Sequence, residues 1–223
     1  MTMKLFHGTA ATNLPRILKH GIRPRQESPS NWDKAPSRED MVYLTVAYPL
    51  YFAFSEHGKQ AAVIEIDPSL LDVDLLYPDE DYVAQAIQGD KRTGFKAVHR
   101  KVRKSLERFQ IFWEQSLMKL GNVCYRGIVP PEAITRYCTF DTAKRPELTL
   151  DILDPVISVT NFAMMGRSYQ EFVQWMFGDR NLHPNVAEVR GYPADYPQKK
   201  EMLAFWKKES KDRTGIEVVK VRR

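Results

Sequence analysis

A short apolar run, Lys4-Leu5-Phe6, carries His7-Gly8-Thr9 to the end of a predicted strand; a capped helix follows, and a second apolar run then presents Tyr43. No other feature restricts the fold as much, because caps and breakers fix where each element starts and stops. Thr12 or Asn13 is placed to cap the helix, and Pro15 falls in its first turn, where the missing N–H costs little. Leu14, Ile17 and Leu18 give it one apolar face; Lys19 and His20 suit its C-terminal dipole, and Gly21 ends it ahead of Pro24. Gly8 has no Cβ, so a ligand can approach its backbone closely. A His, a bare peptide unit and a Tyr on neighbouring strands suit a slot for a flat, amide-bearing ring.

Residues 22–41 read as a long polar loop containing Arg23, Arg25, Trp32, Lys34 and Arg38. Loops of that length inside a compact domain are uncommon and often serve as lids or binding loops. Trp32 there either folds back onto the core or covers a ligand. Thr45 is placed to cap a helix rich in aromatics (Tyr48, Tyr51, Phe52, Phe54), and Ala61–Ile66 reads as a strand. Asp79, Glu80 and Asp81 precede a further helix, whose dipole favours acids at that end without any metal. From Gly94 to Gly121 the spacing predicts one amphipathic helix, with Phe95, Val98, Val102, Leu106, Phe109, Trp113 and Leu117 on its apolar stripe. Lys96, Arg100, Lys104 and Arg108 recur every four residues on a second face. Strands are predicted at Asn122–Tyr125, Thr135–Phe140 and Ile216–Val221, and helices at Tyr169–Phe177 and Glu201–Lys208.

The net charge is only +5 over 223 residues, but it is unevenly spread. Lys91–Arg108 holds eight basic residues and one acid, and Lys199–Arg223 holds nine and four, so the remainder is net acidic. Such segregation favours a partner that carries phosphates. Cys124 and Cys138 fit no metal spacing and read as buried thiols of a reducing compartment. With no membrane-length apolar run and no signal-like N-terminal segment, the expectation is a soluble cytoplasmic protein without membrane or metal.

Taken in order, Leu5-Phe6-His7-Gly8-Thr9, the helix ending Ile17-Leu18-Lys19-His20-Gly21-Ile22, Val42-Tyr43-Leu44-Thr45, Tyr51-Phe52-Ala53 and Ala62–Asp67 resemble the ADP-ribosyltransferase superfamily. The branch is the one with a His–Tyr–third-residue signature, which includes ADP-ribose polymerases, DNA-targeting toxins and RNA 2′-phosphotransferases. The resemblance covers about residues 3–140. It implies an α+β fold of split antiparallel β-sheets flanked by helices. Residues 1–150 would form the NAD-binding catalytic domain, and 151–223 a C-terminal α/β extension packed on it.

The resemblance also implies NAD as co-substrate and a role for each matching residue. His7 would bond the adenosine-side ribose, Gly8 would clamp the nicotinamide carboxamide, and Thr9 would assist at a ribose hydroxyl. Tyr43 would stack on the nicotinamide ring, with Tyr51 or Phe54 on its other face, and Arg23, Arg25 or Arg38 would neutralise the pyrophosphate. Catalysis then rests on positioning and electrostatics around a breaking glycosidic bond. Transferring members commonly place a carboxylate at the third position, where Asn122 stands here; Glu114 and Gln115 are the substitutes in a shifted register, and Glu132 reads as structural. An amide there favours single-unit transfer over polymer synthesis.

The expected activity is therefore NAD-dependent mono-ADP-ribosyl transfer to a macromolecule, nucleic acid ahead of protein. Lys96, Arg100, Lys104 and Arg108 would contact phosphates, and Phe109, Phe112, Trp113 and Tyr125 would stack an unpaired base. One alternative is an RNA 2′-phosphotransferase using Arg16, Arg23, Arg25 and Arg38, although Tyr43 replaces the second His of that branch. Another is a catalytically silent module binding NAD, ADP-ribose or nucleic acid. A toxin with a neutralising partner protein, a phage-encoded modifier or a defence effector would suit such an activity.

Overall fold

A computed structural model describes residues 3–25, 37–57, 60–89, 94–141, 144 and 157–221, with side chains 54–57 excepted. Seven strands form one antiparallel sheet: β1 (Leu5–Ala10), β2 (Met41–Thr45), β3 (Gln60–Ile66), β4 (Leu76–Pro78), β5 (Asn122–Arg126), β6 (Ile134–Asp141) and β7 (Ile216–Lys220), in the spatial order β4-β5-β2-β1-β3-β6-β7. The helices are α1 (Leu14–His20), α2 (Pro49–His57), α3 (Glu80–Gln88), α4 (Phe95–Lys104), α5 (Trp113–Leu120), α6 (Val159–Met176), α7 (Pro184–Gly191) and α8 (Lys199–Glu209). The architecture is α+β, an antiparallel sheet flanked by helices.

At its centre the sheet is buried on both faces, which is why β3 is an unbroken apolar run from Ala61 to Ile64 rather than an alternating one. One face carries Leu5, Val42, Leu44, Ile64, Ile66, Val123 and Tyr125, covered by Leu14 and Ile17 of α1. The opposite face is divided in two. Phe6, Val63, Cys138 and Phe140 meet Phe172, Val173, Trp175 and Met176 of α6. Met41, Tyr77 and Cys124 meet Val83 and Ala84 of α3, with Val102 and Leu106 behind them.

Four details differ from the sequence expectations. His7-Gly8-Thr9 lies within β1, not beyond its end, because all three residues pair with β3. Neither Thr12 nor Asn13 caps α1 through its side chain; Ala11–Asn13 is a 3-10 turn, and Asn13 Nδ2 donates to Thr9 Oγ1 at 3.0 Å. The long amphipathic helix is broken into α4, a 3-10 stretch at Leu106–Phe112, and α5. Ser105 leaves the helical region (φ −135°, ψ 29°), and its hydroxyl donates back to Lys101 O at 3.1 Å, while Gln110 reaches Asp74 O beside β4. Last, α6 is far longer than the Tyr169–Phe177 segment, and α7 was not anticipated.

Other expectations hold. Thr45 Oγ1 accepts from the N–H groups of Ala47 (3.1 Å) and Tyr48 (3.0 Å) and donates to Gly121 O (2.9 Å), capping the entry to α2. Gly21 takes φ +78° where the chain turns to bridge Val129, and a Cβ there would lie 2.2 Å from Val129 O. Asp79 caps α3 by accepting from Asp81 N at 2.8 Å. Both cysteines are buried free thiols, and burial pushes Cys138 up to about 12. Among the described residues no helix is long and apolar enough to cross a membrane.

Candidate active site

The candidate site lies on the side of β1 that faces β2. Beyond Phe6↔Thr45 no residue of β1 is laddered to β2 among the described residues. Past that rung a side chain takes over from the backbone: His7 Nδ1 lies 3.0 Å from Tyr43 O. Since a carbonyl can only accept, the proton of that bond sits on Nδ1, which fixes the tautomer of a neutral ring.

The same rung sets the faces. Counting from Phe6↔Thr45, Gly8 and Tyr43 share one face, and His7 falls with Leu44 on the other. The packing agrees, because Tyr43 lies against the Met41–Cys124 cluster and Leu44 against Leu5 and Ile64. His7, Gly8 and Tyr43, expected to form a slot between neighbouring strands, therefore meet at the β1–β2 seam with His7 on one face and Gly8 and Tyr43 on the other. Gly8 has a second, packing role: a Cβ there would lie 2.1 Å from Pro49 O and 2.7 Å from Ala53 N, so only glycine lets α2 seat on β1. Thr9 is buried and engaged by Asn13.

Tyr43 is half-buried, and its hydroxyl is held from two sides. The hydroxyl accepts from Arg38 N at 2.7 Å and donates to Glu80 Oε1 at 2.6 Å. Burial first, then the charge of Glu80, pushes the phenol well above its usual range. Glu80 is 2% exposed, and its other oxygen accepts from Cys124 Sγ at 3.7 Å. Burial also holds the Cys124 thiol well above its ordinary value.

Asn122, at the head of β5, pairs with Thr45 on this face. Its side chain bonds the Asp79 carboxyl, which burial and then the charges of Asp81 and Glu80 hold well above the carboxylate range. Ser116 Oγ accepts from Asp79 N at 3.0 Å and donates to Asn122 O at 2.8 Å, locking α5, β5 and the start of α3 together. Asn122 Oδ1 is buried with no hydrogen-bond partner among the described residues. A buried acceptor left unmatched costs free energy unless a donor arrives.

The remaining candidates are dispersed. The Arg38 guanidinium is bidentate to Asp40 (2.8 and 2.8 Å), reaches Glu107 (2.8 Å) and donates to Arg103 O (3.0 Å). Its side-chain bond with Asp40 lowers that carboxyl and holds the guanidinium protonated. Arg126 joins both acids from β5. Arg25 donates to Ser37 O at 3.0 Å and lies 3.5 Å from Glu39, while Arg16 and Arg23 are exposed. Tyr51 packs at the edge of the main core against Phe52. Phe54 and Trp32 lie outside the side chains described. Lys96, Arg100, Lys104 and Arg108 are all exposed. Of the aromatics assigned to base stacking, Tyr125 is buried in the core and Phe109 and Trp113 pack partly against it. Glu114 and Gln115 are exposed, the latter accepting from the Tyr82 hydroxyl at 3.2 Å, and Glu132 is exposed on its turn. Among the described residues no group of three or more His, Cys, Asp or Glu is disposed to hold a metal ion.

The sequence reading missed Glu80, Asp79, Ser116 and Cys124 as neighbours of Tyr43 and Asn122. An acid run at a helix start is fully accounted for by the dipole; what singles out Glu80 is that α3 docks its first turn on β5, a tertiary fact. No protein-family model and no curated protein matches the sequence. Among solved structures, EcPltA is similar with a TM-score of 0.35 and 12% identity, covering 63% of this chain and 78% of that one. That likeness is distant.

Proposed function

We propose that this chain is an NAD-dependent mono-ADP-ribosyltransferase acting on a macromolecule, nucleic acid in preference to protein. The observation that carries the proposal is the seam: β1 and β2 part after one rung, and the His7 imidazole, tied to Tyr43 O, stands where ladder bonds would otherwise run. A dinucleotide crossing that gap would meet His7 on one sheet face and Gly8 and Tyr43 on the other. His7 would hold the adenosine-side ribose, and the Gly8 peptide the carboxamide. The Tyr43 ring would stack on nicotinamide. Asn122 Oδ1, buried and without a donor among the described residues, suits a ribose hydroxyl. NAD would supply the labile bond: its nicotinamide C–N bond would break with the electron pair leaving on neutral nicotinamide, an acceptor nucleophile would bond to the anomeric carbon, and that nucleophile's proton would pass to solvent. The protein positions the reacting atoms and keeps water away. Lys96, Arg100 and Lys104 on α4 and Arg108 beyond its end, each exposed, favour phosphates as the acceptor's handle.

A silent NAD- or ADP-ribose-binding module is the second reading. It is favoured by the amide of Asn122, which cannot act as a base, and by the prior engagement of Arg38 with Asp40 and Glu107. Incubation with adenylate-labelled NAD and RNA, DNA or a protein extract separates the possibilities. Covalent label on nucleic acid is the expected result. Release of a cyclic phosphate of ADP-ribose identifies a 2′-phosphotransferase, and intact NAD identifies the module.

A further inference from the structure

We infer that Glu80 is the positioning residue of this site, holding the Tyr43 phenol so that its ring is presented at the seam; the inference rests on the NAD reading above. The three acids at the head of α3 have separable jobs. Asp79 is the N-cap, accepting from Asp81 N, and Asp81 lies 3.3 Å from His99 Nε2, tying α3 to α4. Glu80 instead reaches the sheet, meeting Tyr43 of β2 and Cys124 of β5. It is 2% exposed, it forms no salt bridge among the described residues, and its two oxygens meet a phenol at 2.6 Å and a thiol at 3.7 Å.

Burying a carboxylate against neutral partners is costly, and an apolar side chain would pack the same space more favourably. The first turn of a helix offsets part of that cost through its dipole. What the carboxylate gains is directional: it fixes the distal end of Tyr43, whose proximal end is fixed by β2. Arg38 N completes the grip at 2.7 Å, so the hydroxyl both donates and accepts. A stacking ring held at both ends loses little freedom when its ligand arrives, which is how preorganisation raises affinity. Glu80 thus acts on the dinucleotide only through Tyr43, unlike a carboxylate at the third signature position.

Calorimetric titration of the full chain with NAD tests the inference, using E80Q, E80M and Y43F alone and combined. Glutamine keeps an acceptor for the Tyr43 hydroxyl, and methionine fills the volume without one. E80M should weaken NAD binding about tenfold, the equivalent of one charge-assisted hydrogen bond, while E80Q restores most of it. In the Y43F background, E80M should add nothing further. Should E80M fail to fold, E80A, alone and combined with Y43F, gives the same cycle, since alanine also removes the acceptor. Wild-type affinity in E80M, or an equal loss with and without the Tyr43 hydroxyl, overturns the role of Glu80 while leaving NAD binding intact. Absence of any NAD binding by the unmodified chain overturns both.

Discussion

Strand β1 has two edges, and they are built by different rules. Toward β3 it is laddered over six consecutive residue pairs, from Leu5↔Ile66 to Ala10↔Ala61. That side continues into β6 and β7, is sealed by α6, and is pinned by Arg136, which bonds both Glu65 and Asp179. Toward β2 the ladder has the single rung Phe6↔Thr45, and the polar work passes to side chains: His7, Tyr43, Glu80, Asn122. Backbone ladders give stability without chemical selectivity. Side-chain bonds leave groups that a ligand can engage. One strand thereby separates a stabilising half from a half built for binding.

Trp175→Ala should show the largest effect on stability. The ring is fully buried on the sealed side among Phe172, His183 and the Arg213 guanidinium, so its loss should cost about 3–5 kcal/mol in chemical denaturation. His7→Ala, at the seam, removes the hydrogen bond to Tyr43 O and should cost about 1 kcal/mol while abolishing NAD consumption. Comparable stability losses for the two variants would erase the distinction between the edges.

The smallest effect is expected from Asp79→Asn and is one of pH dependence. Asp79 is raised above its ordinary 3.8, so the folded protein keeps a proton that the unfolded chain releases. Its contribution to stability therefore declines as pH rises from about 4 toward neutrality. Asparagine still caps α3 and cannot titrate, so the variant should show a flatter stability profile over that range. Asp40 and Glu107, both lowered, act in the opposite sense: their contribution is lost as pH falls through the acid range, and the substitution leaves it unchanged. A profile as steep as that of the unmodified protein would remove Asp79 from the account.

Local signals carried the fold further than the site. The Ala61–Ile66 run and the Gly21 and Gly121 stops are properties of short segments, and each was legible in the residues. The break at Ser105 was not, since Val102, Leu106 and Phe109 keep helical spacing straight across it; the contact of the 3-10 stretch with β4 decides it. Asn122 was placed at its strand head by Gly121 before it. Glu80 could not be singled out, because nothing local distinguishes it from Asp79 and Asp81. The opposite facing of His7 and Tyr43 depends on the rung between Phe6 and Thr45, which no sequence spacing specifies.

A crystal structure of the full chain with a non-hydrolysable NAD analogue addresses the central claim most directly. The dinucleotide should lodge in the β1–β2 seam, with its carboxamide on the Gly8 backbone, its nicotinamide against Tyr43 and its far ribose on His7. An analogue bound elsewhere, with the His7–Tyr43 bond undisturbed and the seam empty, would contradict it.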